Sequence, residues 1–281
     1  WGKAIKEEYP QFTFFGETWV HGVPNQAYFT QGKTINQNID TELPGVTDFQ
    51  ALWGINAAMN EKFGWNEGVN KLYTTLANDF VYKDPTRNVV FLDNHDLSRW
   101  YSVVGEDMDK YKSGLAWLMT TRGIPQLYYG AEILMKNFSD PDGKVREDFK
   151  GGWPEDKVNK FTAAGRTAQE NEIFDYVKAL ANYRKSNEVL QTGKMMQYVP
   201  EDGVYVYFRY NPQKTVMVVM NTKEAEAAVA TARFKERMQG FTGATNVVSG
   251  KPVQSIKTLN VPAKSTLVLE LTGAGQAESR E

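Results

Sequence analysis

The sequence predicts two kinds of structure in succession, an α/β region and then an antiparallel β-sandwich. In the first part an opening helix is followed by four short strands, and each of the last three strands is followed by a helical pattern. The strands start roughly 35–40 residues apart, as parallel strands with crossover helices require. Short strands joined by tight turns replace this pattern after about Val189. We therefore divide the chain into an α/β domain over residues 1–189, a sandwich over 190–272 and a polar tail over 273–281.

The α/β region opens with the end of an amphipathic helix over residues 1–9, which Pro10 stops because it cannot continue a helix. Short and mostly apolar runs then predict strands over residues 12–15, 45–49, 88–92 and 124–129. Helical patterns cover residues 50–63, 109–121 and 168–185. Continuously apolar strands are typical of a parallel sheet that is covered on both faces.

The sandwich is predicted from alternating apolar and polar residues. Its strands are expected over residues 204–210, 215–221, 245–248, 255–261 and 265–271, with turns at 211–214 and 249–251. Within the α/β region, residues 134–167 have little periodicity. A loop of this length in a compact domain is often part of a binding site.

Composition excludes several classes of function. The net charge of −2 and the pI of about 5.9 argue against nucleic-acid binding. No run approaches the ~18 apolar residues of a membrane span, and the absence of cysteine excludes disulfides and thiolate chemistry. Cytosol and periplasm both remain open as compartments. Because the chain starts at Trp1 without a signal peptide, we expect that it was trimmed from something longer.

Carboxylates follow two of the predicted strands. Glu17 comes directly after the first strand, and Asp93 and Asp96 come directly after the third. Catalytic groups of parallel α/β folds lie at the carboxyl ends of strands, and glycosidic cleavage uses a pair of carboxyl groups. The alternative is that these acids cap the helices that follow. Aromatic residues, 13% of the chain, either stack on sugar rings or only fill the core.

Four sequence strings carry a family resemblance. FFGETW (residues 14–19) and FLDNHD (91–96) resemble two signatures of the α-amylase family, and GIPQLYYGAE (123–132) resembles its last barrel strand. Residues 130–153 resemble the neopullulanase and cyclomaltodextrinase branch more narrowly. The resemblance implies that the α/β region is the second half of a (β/α)8 TIM barrel and that the sandwich is the family's C-terminal domain.

The resemblance implies catalytic roles for two residues and a substrate-binding role for a third. Glu17 matches the general acid/base of a retaining mechanism. Asp96 matches the carboxylate that stabilises the transition state and binds sugar hydroxyls, and His95 matches the imidazole that binds the same sugar. For His95 the alternative is a loop hydrogen bond.

The resemblance also implies supporting roles around these three. Asn94 and Asp93 would shape the loop, and Arg99 would neutralise the acids nearby. Asn94 and Arg99 are counted with His95 among the substrate-binding residues. Trp19 and His21 would line the cleft beside Glu17, although a structural role is as well supported for both.

The chain departs from the family in one large respect. The family's nucleophile is an aspartate at the end of the fourth barrel strand, and neither that signature nor the signature of the third strand occurs here. Our first strand matches the family's fifth. We therefore expect a parent enzyme that cleaves α-1,4-glucosidic links in maltodextrins, cyclodextrins or pullulan, and an inactive isolated chain. Lys150 also replaces a proline of the family before Gly151 and Gly152.

Partners and ligands follow from the same comparison. Residues 140–143 resemble a calcium loop but lack its third acid and distal glutamate, so we predict no metal, with calcium as the one candidate. We expect α-glucan oligosaccharides as ligands, and two copies that pair their half-barrels are one way to cover open sheet edges. The alternative function is a non-catalytic carbohydrate-binding or partner-docking relative. Nucleotide binding is discounted because no GxGxxG or GxxxxGK[ST] motif occurs.

Overall fold

The structure, a computed structural model, describes residues 1–32 and 40–273. The chain divides into two compact units, the first made of residues 1–91 and 122–126 and the second of residues 92–121 and the chain from 127 onward. The domain boundary that we place near residue 190 stays a prediction. The predicted tail lies outside the described residues beyond Gly273. Within the described ranges, no helix has the length and apolar character needed to cross a membrane.

The first unit contains four parallel strand positions in chain order. Strands β1 (Val89–Phe91) and β2 (Ile124–Gln126) pair in parallel. Single parallel bridges join Gly16 to Val46 and Thr47 to Val89. Each position therefore pairs with the next along the chain, which is the arrangement of consecutive strands in a (β/α)8 barrel. This confirms the predicted second half of the barrel.

The first predicted strand is shorter and more exposed than the sequence indicates. Pairing there is limited to the bridge at Gly16, and the side chains of Phe12 and Phe15 are about half exposed. The backbone there pairs with Val46 on one side. An apolar run alone does not reveal whether a second strand covers the other side.

The helices of the first unit precede or separate these strand positions along the chain. They include α1 (Gly2–Glu8), α2 (Val23–Ala27), α3 (Phe49–Asn60) and α4 (Val69–Ala77). Helix α3 confirms the helix predicted over 50–63, and the carboxylate of Asp48 caps it by accepting a bond from the Ala51 amide. Its buried face carries Leu52 and Ile55, and the ring of Phe49 packs edge-on against Phe91 of β1.

A buried ion-pair network connects the elements of the first unit. The Arg122 guanidinium lies 2.6 Å from Asp48 and 2.6 Å from Asp79, and Arg122 and Asp48 are almost fully buried. The side chain of Gln26 on α2 joins the network through bonds to Asp48 and to the hydroxyl of Tyr82. The cap of α3 is thereby tied to the residues that precede β2.

The second unit begins with helices α5 (Trp100–Val103) and α6 (Met108–Thr120) and continues with α7 (Ala168–Ser186) and α8 (Glu188–Gln191). The predicted helices over 109–121 and 168–185 are confirmed. Helix α7 starts with a capping box, in which Thr167 and Glu170 satisfy each other's backbone amides. Gly114 of α6 allows close packing on Trp100, because an added Cβ would lie 1.9 Å from the indole.

The sandwich confirms the antiparallel prediction. Its strands are β3 (Lys194–Gln197), β4 (Val204–Tyr210), β5 (Thr215–Asn221), β6 (Ala227–Ala230), β7 (Gly243–Asn246), β8 (Thr258–Val261) and β9 (Ser265–Thr272). One sheet has the order β3-β4-β5-β9-β7 and the other pairs β6 with β8. Phe208, Met217, Val219 and Leu269 fill the core between them. Strands β3 and β6 were not predicted, because KMMQ does not alternate and the alanines of AAVA are poor strand formers.

Candidate active site

The predicted site residues fall in both units. Glu17, Trp19 and His21 lie in the first unit, and Asn94, His95, Asp96 and Arg99 lie in the second.

Glu17 extends from the end of the first parallel strand position. The backbone of Gly16 pairs with the neighbouring strand position, and the amide of Thr18 donates to Thr47 Oγ1 over 3.2 Å. Thr18 is buried. Glu17 and Trp19, which flank Thr18 in the chain, are both exposed.

Aromatic rings accompany Glu17 in the first unit. The indole of Trp19 is 51% exposed and stacks on Phe49 with 4.7 Å between ring centroids. The imidazole of His21 stacks on Trp53 at 4.1 Å. The Gln50 side chain on α3 bonds to the backbone on both sides of His21 and so holds this loop. Both rings are thus supported from below and present flat faces, the kind of surface that stacks on sugar rings.

In the second unit, Asn94 organises the turn that carries His95 and Asp96. The buried Asn94 side chain accepts bonds from the amides of Asp96 and Leu97 over 2.9 and 3.1 Å. This Asx-type turn leaves the His95 and Asp96 side chains partly exposed, with His95 Nε2 3.3 Å from Asp96 Oδ2. A carboxylate and an imidazole are therefore presented together on one short turn.

Arg146 is a further residue of this group that our sequence analysis did not identify. Its guanidinium donates to Asp96 Oδ1 over 2.8 Å and to the backbone carbonyl of His95 over 2.7 Å. The available signal was its position inside the loop 134–167, which we expected to contribute to a binding site. The sequence distance between Arg146 and Asp96 concealed the pairing.

Asp93 and Arg99 are buried behind the turn. Burial raises the pKa of Asp93 to about 6, while the amide of Trp100, 2.8 Å away, and the charge of Arg99 act in the lowering direction. The Arg99 guanidinium stacks 4.0 Å from the ring centroid of Tyr128 and donates to the carbonyl of Tyr129 over 2.5 Å. Arg99 is only 1% exposed, and its charge favours an ionised Asp93.

The acidic and histidine side chains of the described residues do not form a cluster typical of a metal centre. Among residues 1–32 and 40–273, no group of three or more His, Asp or Glu side chains is arranged to hold a metal ion. The residues predicted as a weak calcium-loop match, Asp140 and Asp142, are exposed, and Asp142 lies 3.7 Å from the Arg146 guanidinium.

Comparison with known proteins identifies the family. Residues 1–151 match the family "Alpha amylase, catalytic domain", which covers more than half of the chain. The chain belongs to the α-amylase family. Residues 195–270 match a second family, "Cyclo-malto-dextrinase C-terminal domain", so both the barrel segment and the sandwich have counterparts among α-amylase-family proteins.

Individual relatives agree with this assignment. The chain is 24% identical over its full length to an α-amylase of Niallia circulans, 48% of which it covers. A cyclomaltodextrin glucanotransferase of Geobacillus stearothermophilus is 30% identical over 59% of the chain, which covers 21% of that protein. The fold matches a crystal structure of the Geobacillus thermoleovorans α-amylase complexed with acarbose with a TM-score of 0.76 at 20% identity, over 98% of this chain and 56% of that one. The chain spans about half or less of the length of the curated relatives it matches.

Proposed function

We propose that the chain supplies the second half of the catalytic barrel and the C-terminal domain of a retaining glycoside hydrolase. The complete enzyme would cleave α-1,4-glucosidic links in maltodextrins, cyclodextrins or pullulan. One observation carries this proposal. Glu17 and the segment from Leu92 to Asp96 each continue directly from one of the four parallel strand positions, and strand ends are where barrel enzymes place their catalytic groups.

Each residue has a role in such a reaction. The Glu17 carboxyl group would protonate the departing glycosidic oxygen and then remove a proton from the incoming acceptor. Asp96 would accept hydrogen bonds from sugar hydroxyls that strengthen as the sugar becomes oxocarbenium-like, and His95 would bind the same sugar. Trp19 and His21 would provide apolar faces for adjoining sugar rings. The stacking and exposure of both rings support that assignment.

The acceptor determines whether such chemistry is hydrolysis or transfer. Water as acceptor gives hydrolysis, whereas a sugar hydroxyl gives a new glycosidic bond. The relatives include proteins named α-amylase and proteins named cyclomaltodextrin glucanotransferase. Assays therefore need to measure released reducing ends and cyclic or lengthened products separately.

The chain by itself is expected to be inactive. A retaining mechanism forms a covalent bond between the sugar and a nucleophile of the enzyme. The family's nucleophile signature does not occur in residues 1–281, so Glu17 and Asp96 have no such partner there. When one member of a cooperating catalytic set is missing, most of the rate is lost. A Gly-Phe-Arg-x-Asp-like string encoded upstream in the gene would supply that partner.

The test compares the chain with Glu17→Gln and with Glu155→Gln, an exposed loop residue, on a chromogenic maltoside and on β-cyclodextrin. We expect no turnover by any of the three. We also expect the chain to bind acarbose and Asp96→Asn to bind it more weakly. Turnover abolished only by Glu17→Gln would place a nucleophile within these residues and overturn the prediction of inactivity. Absence of acarbose binding would count against a sugar site.

A further inference from the structure

The Arg146 guanidinium contacts the turn that presents Asp96, in addition to the Asn94 side chain. Arg146 Nη2 donates to Asp96 Oδ1 over 2.8 Å, and Arg146 Nε donates to the carbonyl of His95 over 2.7 Å. Because His95 Nε2 faces the other carboxylate oxygen at 3.3 Å, Asp96 is held from both sides. Arginine is suited to this arrangement, since its planar guanidinium offers several donors in a fixed geometry.

The segment that carries Arg146 is itself anchored within the second unit. Its short turn, Lys144–Arg146, starts after Gly143, which adopts a left-handed φ of 90°. Val145 is buried at 1% exposure, and the side chain of Asn137 donates to the carbonyl of Lys144 over 3.2 Å. The Tyr129 hydroxyl adds a bond to the backbone carbonyl just after Arg146. The guanidinium therefore extends from a supported loop rather than from a free one.

We propose that Arg146 is a positioning residue, which fixes the His95–Asp96 turn and the orientation of the Asp96 carboxylate toward sugar hydroxyls. This inference rests on the proposed function, in which Asp96 binds those hydroxyls. A carboxylate has about four lone-pair sites, two on each oxygen. Asp96 Oδ1 accepts a bond from Arg146 and Oδ2 lies beside His95, so each oxygen can still accept a bond from a sugar hydroxyl. Arg146 thereby contributes to binding without being displaced.

Competition is the opposite interpretation of the same contact. If the guanidinium occupied the place of a sugar hydroxyl, removing it would free Asp96 and strengthen sugar binding. If Arg146 positions Asp96, removing the guanidinium should weaken sugar binding. A carboxylate without a fixed orientation loses rotational freedom when the sugar binds, and that loss lowers the affinity. The sign of the change in affinity therefore distinguishes the two interpretations.

The experiment uses the full chain with Arg146→Met, Arg146→Lys and the matched control Lys144→Met, which removes an exposed charge from the same turn. Amide spectra by nuclear magnetic resonance report on residues 94–97 and on the Arg146 Nε–H signal. Acarbose titrations give the affinity. We expect Arg146→Met to shift the 94–97 amides and to weaken acarbose binding about tenfold. Arg146→Lys should fall between, because lysine makes one of the two bonds, and Lys144→Met should match the unmodified chain.

A double-mutant cycle separates positioning from general structural loss. In the background of Asp96→Asn, Arg146→Met should have little further effect on acarbose affinity. Unchanged 94–97 amides, or equal or tighter binding by Arg146→Met, would overturn the positioning role. If the unmodified chain binds no acarbose, or Asp96→Asn binds it equally well, the proposed function fails. The amide shifts then still decide whether Arg146 orders the turn.

Discussion

At the scale of single residues, burial strongly affects the carboxyl group of Asp93. It is 3% exposed and keeps one bond, from the amide of Trp100. Burial disfavours its charged form and raises its pKa to about 6. Asp93 directly precedes Asn94, so its carboxyl group titrates beside the turn that carries His95 and Asp96.

The raised pKa of Asp93 predicts a pH dependence of stability. The folded chain holds the proton up to about pH 6, whereas an unfolded aspartate releases it near pH 4. The folded state therefore binds more protons in that window, and its stability falls as the pH rises through it. Asp93→Asn, which still accepts the Trp100 amide, should remove this dependence, worth roughly 3 kcal/mol in total.

Urea unfolding of the chain and of Asp93→Asn at several pH values between about 4 and 7 measures this difference. Asp142→Asn is the control, because Asp142 is exposed. The stability of Asp93→Asn relative to the unmodified chain should rise with pH. Parallel stability curves for the two proteins would contradict the assignment.

At the scale of elements, two buried arginines cap the C-terminal end of helix α6. The guanidinium of Arg209 on β4 donates to the carbonyls of Thr120 and Thr121, and that of Arg184 on α7 donates to the carbonyl of Met119. The last carbonyls of a helix lack partners inside the helix and carry partial negative charge. Burial lowers the pKa of Arg184 to about 10. Cations from two elements thus hold α6 against α7 and the sandwich.

Replacing Arg209 by methionine should destabilise the chain by about 3 kcal/mol, because buried carbonyls would lose their donors. The control is Arg233→Met. Arg233 pairs with Glu201 at the surface, where side-chain exposure is 39% and 72%, and exposed pairs of this kind stabilise little. Urea denaturation of both variants measures the difference. Equal stability of the two variants would show that other groups satisfy the end of α6.

At the scale of the whole molecule, both edges of the four parallel strand positions carry exposed apolar side chains. Phe12 and Phe15 are 53% and 52% exposed at one edge, and Ile124 is 44% exposed on β2. A closed barrel of this kind needs eight strands, and open strand edges favour association. We propose that a second half-barrel, either an upstream segment or another copy of the chain, covers these edges.

The isolated chain is therefore expected to self-associate as its concentration rises. Phe15→Glu should weaken that association by placing charge on one edge. Phe80→Glu should not, because Phe80 is exposed at 79% but lies outside the strand positions. Sedimentation velocity over a concentration series measures the effect. A monomer at every concentration would contradict pairing of half-barrels.

Local patterns were sufficient to predict much of the fold and the candidate site. The apolar run before Asp93 and the signatures around Glu17 and Asp96 depend on neighbouring residues, so strand, helix and family could be inferred from short stretches of chain. The burial of charged groups could not be predicted from such short stretches. Asp48 and Arg122 form a buried pair although they are far apart in sequence, because only folding brings distant polar groups together.

The sequence by itself determined the order of the four parallel strand positions, the antiparallel sandwich and the identities of Glu17, His95 and Asp96 as site residues to test. Periodicity and short motifs carry that information. The tertiary structure decided that Arg146 contacts Asp96, that Arg99 is buried and that Phe12 and Phe15 are exposed. These outcomes depend on which surfaces meet when the chain folds, and no local pattern of residues contains that information.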